Sequence, residues 1–183
     1  WQQCGRPLER GEALLLLGGM LADTLALTSP TTTRTDRKLA VELADVAGID
    51  IGDFGVELLR QNDDLASRPA PKLVRRDLKS FTCPAGTFLA AQIETVDLGL
   101  LTQERRANLR EALEETRMAE QAVFAMLMVT DVLTARSHLL VADPDEPRGR
   151  RLLDGSKPAD GCVVAGMVSR KKQLLPWIFE RLA

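Results

Sequence analysis

Residues that commonly bind metals or form disulfides are scarce here: the 183 residues include one histidine and three cysteines. Cys4, Cys83 and Cys162 are odd in number, far apart and without CxxC spacing. This argues against a disulfide scaffold or a zinc site and favours a reducing compartment. Without a second histidine at metal spacing or the serine or cysteine motif of a catalytic triad, we expect His138 to be a strand residue, not a ligand or base.

The sequence also lacks a long hydrophobic run and a strong net charge. Its longest apolar stretch, 13–22, contains two glycines and is shorter than the about 20 residues that a membrane-spanning helix needs. Twenty-four basic and 26 acidic residues give a net charge of -2, so no overall positive field would attract nucleic acid or an anionic membrane. The N-terminus shows no signal-peptide pattern. We therefore predict a cytoplasmic protein without nucleic-acid or membrane partners.

The glycines form neither GxGxxG nor GxxxxGK[ST], which argues against the usual nucleotide-binding loops. A local anion site is nevertheless indicated near the C-terminus, where Arg170, Lys171 and Lys172 follow the apolar run 163–168. Three unopposed cations at the end of a predicted strand suggest a phosphate site, because arginine can bind two phosphate oxygens and lysine supplies a compact charge. A solvated basic turn before the last helix explains the same residues equally well.

Hydrophobic patterning divides the chain into two parts. Residues 7–21 predict a mostly buried helix, followed by helices over 36–47 and 54–60. The polar, proline-bearing run 62–71 predicts a linker, which gives domains over 1–61 and 72–183. In the second domain, predicted strands at 88–96, 123–129, 137–141 and 162–168 alternate with predicted helices at 102–121, 145–153 and 174–182. Alternation of this kind predicts an α/β fold, a sheet with helices on its faces, in which ligands bind past the strand ends.

Three further residues are candidates on their own chemistry. Asp23 follows the apolar helix, where a carboxylate is energetically costly unless a metal, a cation or hydrogen bonds offset its charge. Asp23 is therefore either a metal ligand or a residue at the helix end that bonds to nearby backbone. Lys79 follows the linker and either faces the basic cluster or is simply solvated. Asp131, after the run 123–130, caps a turn or points toward the site, and we favour the cap.

Several segments together resemble the C-terminal part of the family II, manganese-dependent inorganic pyrophosphatases of the DHH phosphoesterase superfamily. Residues 169–173, Ser-Arg-Lys-Lys-Gln, resemble the SRKKQ signature of the DHHA2 domain of that family. Residues 21–25, 28–33 and 46–50 are similar to the segment that closes its DHH domain. Residues 77–81 and 92–96 resemble the opening of DHHA2 in order and spacing, so the resemblance covers nearly the whole chain.

The resemblance implies an α/β fold in which the end of a metal-binding DHH domain, 1–61, precedes a DHHA2 domain, 72–183, with a mixed sheet flanked by helices. It implies that Asp23 is one ligand of a centre that holds two Mn²⁺ ions. It also implies that Lys79, Arg170 and Lys171 bind diphosphate. The intact enzyme would hydrolyse diphosphate to two orthophosphates.

The sequence departs from a complete member of that family. The other metal ligands, from an N-terminal histidine-and-aspartate segment, a further Asp and the Asp-His-His motif, are absent from it. The chain also starts at Trp1, almost within a predicted helix. We therefore expect a C-terminal fragment that binds manganese poorly and hydrolyses nothing by itself, any homodimer forming through the missing N-terminal domain. Two alternatives remain: an exopolyphosphatase of the same superfamily and a non-catalytic, anion-binding DHHA2 module.

Overall fold

A computed structural model describes residues 7–29, 31–61 and 63–182. The chain divides into two compact units, Trp1–Asn62 and Asp63–Ala183, which we call the helical unit and the sheet unit. Cys4 and the first residue of the predicted linker, Asn62, lie outside the described residues. Within the described ranges, no helix is both long and apolar enough to cross a membrane.

The helical unit contains three helices in its described part, and their bounds are α1 Arg10–Asp23, α2 Arg34–Ala47 and α3 Ile51–Gln61. Helix α2 begins at a capping box, in which the Thr33 hydroxyl accepts from the Asp36 amide at 3.1 Å and the Asp36 carboxylate accepts from the Thr33 amide at 2.7 Å. It ends at Gly48, whose φ of 65° suits glycine. These local signals explain why the sequence predicts this helix well.

Helix α1 is less buried than its apolar sequence predicts. Ala13, Leu17 and Leu21 are its buried residues. Leu15 is 79% exposed and Leu16 47% exposed, so the prediction of a mostly buried helix is wrong for this face.

The sheet unit is built on a five-stranded mixed sheet in the order β1-β2-β3-β4-β5. The strands are β1 Leu78–Cys83, β2 Gly86–Thr95, β3 Ala125–Asp131, β4 Arg136–Ala142 and β5 Cys162–Ala165. The described helices are α4 Ala70–Arg76, α5 Gln103–Ala119, α6 Glu146–Leu152 and α7 Leu175–Leu182. Strands β2 and β3 are parallel and the other neighbours antiparallel, which requires a crossover that α5 provides. The predicted α/β fold with a mixed, helix-flanked sheet is confirmed.

Side chains alternate across this sheet and form a core on each face. We call one face the α5 face, where Leu109 and Leu113 of α5 pack with Leu89 and Leu127 of the sheet. The other is the α7 face, whose buried residues include Phe88, Met126, Leu152 and Ile178. Both faces are covered, so the central strands are apolar throughout, as the continuous run of β3 predicts.

The structure differs from the predicted elements at two places in the sheet unit. Helix α4 and strand β1 were not predicted, because both are short and β1 is an edge strand with an exposed Lys79. Strand β5 ends at Ala165, earlier than predicted, since Gly166 takes a positive φ of 74° and turns the chain.

The predicted linker, 62–71, lies at the start of the sheet unit. Within it Leu65 is fully buried, and the Asp63 carboxylate accepts hydrogen bonds from the Thr95 hydroxyl at 2.7 Å and the Val96 amide at 2.9 Å. These contacts attach its described part to the end of β2. The division into domains at 61 and 72 stays a prediction.

Candidate anion site

Lys79 stands on the edge strand β1, opposite Ala90 of β2. Its neighbour Leu78 packs on the α5 face and Phe81 packs on the α7 face. Since successive side chains alternate, Lys79 shares the α7 face with Phe81. The lysine is exposed and so is free to reach an anion in solvent.

The basic segment, Ser169–Gln173, overlaps a short π-helical turn, Arg170–Leu174, that runs directly into α7. The Ser169 hydroxyl accepts from the Lys172 amide at 3.3 Å and caps this turn. The Gln173 side chain closes the loop: its oxygen accepts from the Ser169 amide at 3.0 Å and its nitrogen donates to the Gly166 carbonyl at 2.6 Å. The polar ends of the SRKKQ sequence therefore shape the backbone that carries the cations.

Arg170 is turned inward and is only 8% exposed. Its Nη1 donates to the carbonyl oxygens of Asp77 and Ala90, and its Nη2 donates to Asp77 Oδ1 at 2.9 Å. Ala90 is the cross-strand partner of Lys79, so the guanidinium lies against the backbone at the Lys79 position. The fold of the sheet unit thus brings Lys79 and Arg170 together from distant parts of the chain.

An arginine side chain carries five N–H donors, of which Arg170 uses both at Nη1 and one at Nη2. Among the described residues, the Nε proton and the second Nη2 proton of Arg170 have no acceptor. An Nε–H and an Nη2–H on one edge of a guanidinium form a fork that can bind two oxygens of a phosphate. The Asp77 contacts therefore fix the orientation of the guanidinium without using all of its donors.

Lys171 and Lys172 differ from Arg170 because both are exposed. In the described ranges neither has an acidic side chain within ion-pair distance, whereas Arg148, for example, is paired with Asp143 at 2.6 Å. An unpaired surface cation beside an oriented guanidinium keeps its charge available for an anion.

Glu94 adds a pH-dependent charge at the end of β2. Partial burial raises the pKa of its carboxyl, and the negative charge of Asp77 raises it further, although Arg76 and a 3.2 Å hydrogen bond from Gln92 act in the opposite direction. A raised pKa means that the folded chain is most stable, with respect to this group, below the ordinary glutamate pKa of about 4.3 and loses that stability as the pH rises through the folded-state pKa.

We therefore predict that Glu94→Gln stabilises the chain at about pH 7, by about 0.5 kcal/mol for a group still partly in water, and has no effect on stability in acid. Urea unfolding followed by circular dichroism at both pH values measures this. Glu115→Gln, which removes an exposed carboxylate of α5, is the control. An advantage for Glu94→Gln that is equal at both pH values would contradict the prediction.

Asp131 and His138 take structural positions. Asp131 Oδ1 accepts from the amides of Leu133 at 2.9 Å and Thr134 at 3.1 Å, so the predicted turn cap is confirmed. His138 lies in β4, as predicted, and its Nε2 is 3.0 Å from the Asp160 carbonyl. Burial lowers the pKa of His138, which favours the neutral ring at neutral pH.

Asp23 is the last residue of α1 and is exposed. The expected cost of a carboxylate beside an apolar helix is therefore absent, and it is the following residue, Thr24, that is buried and bonded to the Met20 carbonyl at 2.7 Å. Within the described ranges no three His, Cys, Asp or Glu side chains cluster as a metal site requires. A single exposed carboxylate does not fit a centre for two manganese ions.

Sequence reasoning missed the residues that hold the cations in place. Ala90 contributes a backbone carbonyl and Gln173 a side-chain amide, neither of which carries a charge signal, while Asp77 contributes both its carbonyl and its carboxylate. The one available clue was the acid two residues before Lys79, within the segment 77–81.

Comparison with known proteins shows the family of this chain. Residues 56–180 match the DHHA2 domain family. The chain is 34% identical over 166 residues to a protein of Streptococcus equi subsp. zooepidemicus and 32% identical over 180 residues to one of Streptococcus mutans serotype c, both named manganese-dependent inorganic pyrophosphatase. These alignments cover 91% and 98% of this chain but 53% and 58% of the relatives. The chain therefore spans about half the length of the curated relatives it matches.

A solved structure shows the same fold. The crystal structure of a Methanococcus jannaschii protein described as a family II inorganic pyrophosphatase matches 96% of this chain and 57% of its own length, with a TM-score of 0.75 and 26% identity. The family match spans all five strands and the basic segment, well over half of the chain. On this evidence the chain belongs to the DHHA2 domain family.

Proposed function

We propose that this chain is the diphosphate-binding part of a manganese-dependent inorganic pyrophosphatase, an enzyme that hydrolyses diphosphate to two orthophosphates. The observation that carries the proposal is the geometry of Arg170, a buried guanidinium oriented by Asp77 and Ala90 with two N–H donors left over. The names of the relatives supply the substrate and the metal.

The number and the chemical types of the cations are suited to binding a diphosphate. The free fork of Arg170 can bind two oxygens of one phosphate, while the exposed Lys79 and Lys171 provide mobile charges for the rest of the anion. Fixed cations of this kind stabilise the charge that develops on a leaving phosphate during phosphoryl transfer. We therefore propose Lys79, Arg170 and Lys171 as the substrate-binding residues.

The proposal for this chain stops at substrate binding. Its described residues do not fit a two-manganese centre, so we derive no catalytic step from them. Asp23 is proposed as a manganese ligand on the family resemblance alone.

Titration calorimetry with diphosphate tests the proposal directly. We expect Lys171→Ala to weaken diphosphate binding by about tenfold, equivalent to about 1.4 kcal/mol, because an unpaired charge next to the Arg170 fork is lost. Lys157→Ala removes another exposed lysine, outside the basic segment, and should leave the affinity unchanged. Equal affinities of the wild type and the Lys171→Ala variant would reject the proposal.

Two further outcomes separate the alternative functions. A clear preference for long polyphosphate over diphosphate would assign the exopolyphosphatase function.

For the reaction itself, the chain can be joined to the N-terminal half of the Streptococcus mutans relative and assayed for phosphate release with manganese. Release that depends on Lys171 supports a pyrophosphatase, and its absence in a folded fusion that binds diphosphate supports a binding module.

A further inference from the structure

Two buried hydroxyl groups lie among apolar side chains on the α7 face. Thr130 of β3 and Ser137 of β4 are cross-strand partners, and both residues are fully buried. The preceding and following residues on this face are Met128 and Leu139. Two hydroxyls in such surroundings lose contact with water and therefore need internal partners.

The hydrogen bonds of this pair have one consistent direction. The Thr130 and Ser137 hydroxyl oxygens are 2.8 Å apart, and the Ser137 oxygen is 2.5 Å from the carbonyl oxygen of Met167. A carbonyl only accepts, so the single proton of Ser137 is directed to Met167. Thr130 must then donate its own proton to Ser137, which gives the order Thr130 to Ser137 to Met167.

Met167 lies where the sheet ends and the approach to the basic segment begins. Strand β5 ends at Ala165, and Arg170 follows Met167 by three residues. Between them the backbone is held by few bonds: the Gly166 amide donates to the Ala135 carbonyl at 2.7 Å, and the Gln173 side chain contacts residues 166, 168 and 169. Among the described residues, the Ser137 hydroxyl makes the hydrogen bond that ties this connection to the interior of the sheet, and the buried Met167 side chain packs on the α7 face beside it.

We propose that Thr130 and Ser137 are positioning residues for the anion site. Their ordered hydroxyls fix the Met167 carbonyl and thereby the direction in which the chain enters the basic segment. That direction decides whether Arg170 reaches Asp77 and Ala90 and whether its free fork faces the anion. A valine and an alanine would fill the same core, so packing alone does not require the hydroxyls. The inference rests on the proposed diphosphate site.

A pair of variants at Thr130 separates the hydroxyl from the packing. Thr130→Val keeps the shape and removes the donor, whereas Thr130→Ser keeps the donor and removes a methyl group. If the hydroxyl positions the segment, Thr130→Val weakens diphosphate binding by about fivefold to tenfold and Thr130→Ser binds like the wild type. A role limited to packing predicts the reverse: Thr130→Ser is the more perturbed variant and Thr130→Val is silent.

Ser137→Ala removes the donor to Met167 itself, and we expect a loss of affinity of at least about tenfold. The control is Thr116→Val, which deletes another buried hydroxyl of the sheet unit, one that bonds to the Ala112 carbonyl at 2.7 Å on helix α5. The affinity of the Thr116→Val variant for diphosphate should equal that of the wild type. Backbone amide NMR shifts of residues 169–172 should move in Thr130→Val and Ser137→Ala but not in Thr116→Val.

The outcomes distinguish this inference from the proposed function. A wild-type chain that does not bind diphosphate overturns the proposed function and with it the inference. A wild type that binds, with Thr130→Val and Ser137→Ala binding equally well and residues 169–172 unshifted, overturns the inference alone. If Thr130→Val does not fold, the same comparison between Ser137→Ala and Thr116→Val decides.

Discussion

Replacing Arg170 by methionine is expected to lower the free energy of unfolding by about 2–4 kcal/mol and to abolish diphosphate binding. Methionine has a similar length but no donors, so the Asp77 carboxylate and the carbonyls of Asp77 and Ala90 lose their shared partner. Three hydrogen bonds from one charged donor are lost together, and such bonds contribute more to stability than bonds between neutral groups. Asp77 is partly exposed, which keeps the effect below that of a fully buried pair.

The adjacent lysine provides the matched comparison. Lys171→Met changes an exposed side chain, so the free energy of unfolding should stay within about 0.5 kcal/mol of the wild type while diphosphate binding weakens. Urea unfolding and calorimetry on the three proteins measure both quantities. An Arg170→Met protein as stable as Lys171→Met would show that the guanidinium does not make these internal bonds in solution.

The second large effect is expected at Gly161, where alanine should destabilise the chain by about 3 kcal/mol or more. Gly161 immediately precedes β5 and has a φ of 69°, a backbone region that disfavours a side chain. A Cβ atom there would overlap the Leu139 carbonyl oxygen and would lie 2.5 Å from His138 Nε2. Relief of this clash requires β5 to move away from β4, since the overlapping oxygen is part of the backbone.

Gly155→Ala separates the clash from the backbone strain. Gly155 also has a positive φ, 87°, but a Cβ atom there would have no heavy atom within 4 Å. Gly155→Ala should therefore lower the free energy of unfolding only by the cost of the unfavourable backbone conformation, about 1–2 kcal/mol. Thermal unfolding of the two variants gives the difference, and diphosphate binding should weaken for Gly161→Ala because β5 leads into the basic segment. Equal destabilisation by both substitutions would contradict the steric explanation.

Prediction from the sequence succeeded where the signal is local. The start of α5, which the sequence predicts at residue 102, the apolar run of β3 and the turn cap at Asp131 each depend on residues within a few positions of one another. It failed for β1, whose six residues alternate only weakly between exposed and buried. For helix α1, composition indicated burial all round, but the faces that neighbouring helices cover are a property of the tertiary structure.

The sequence by itself determined that a run of three cations follows an apolar strand in an α/β domain, because charge, periodicity and capping residues are local properties of the chain. Only the tertiary structure decided that Arg170 points inward while Lys171 and Lys172 remain in solvent. The physical reason is the origin of the acceptors: the Asp77 groups that orient the guanidinium are 93 positions away in sequence, and they meet Arg170 only in the folded sheet unit. Which cation is buried therefore depends on strand pairing between β1 and β2.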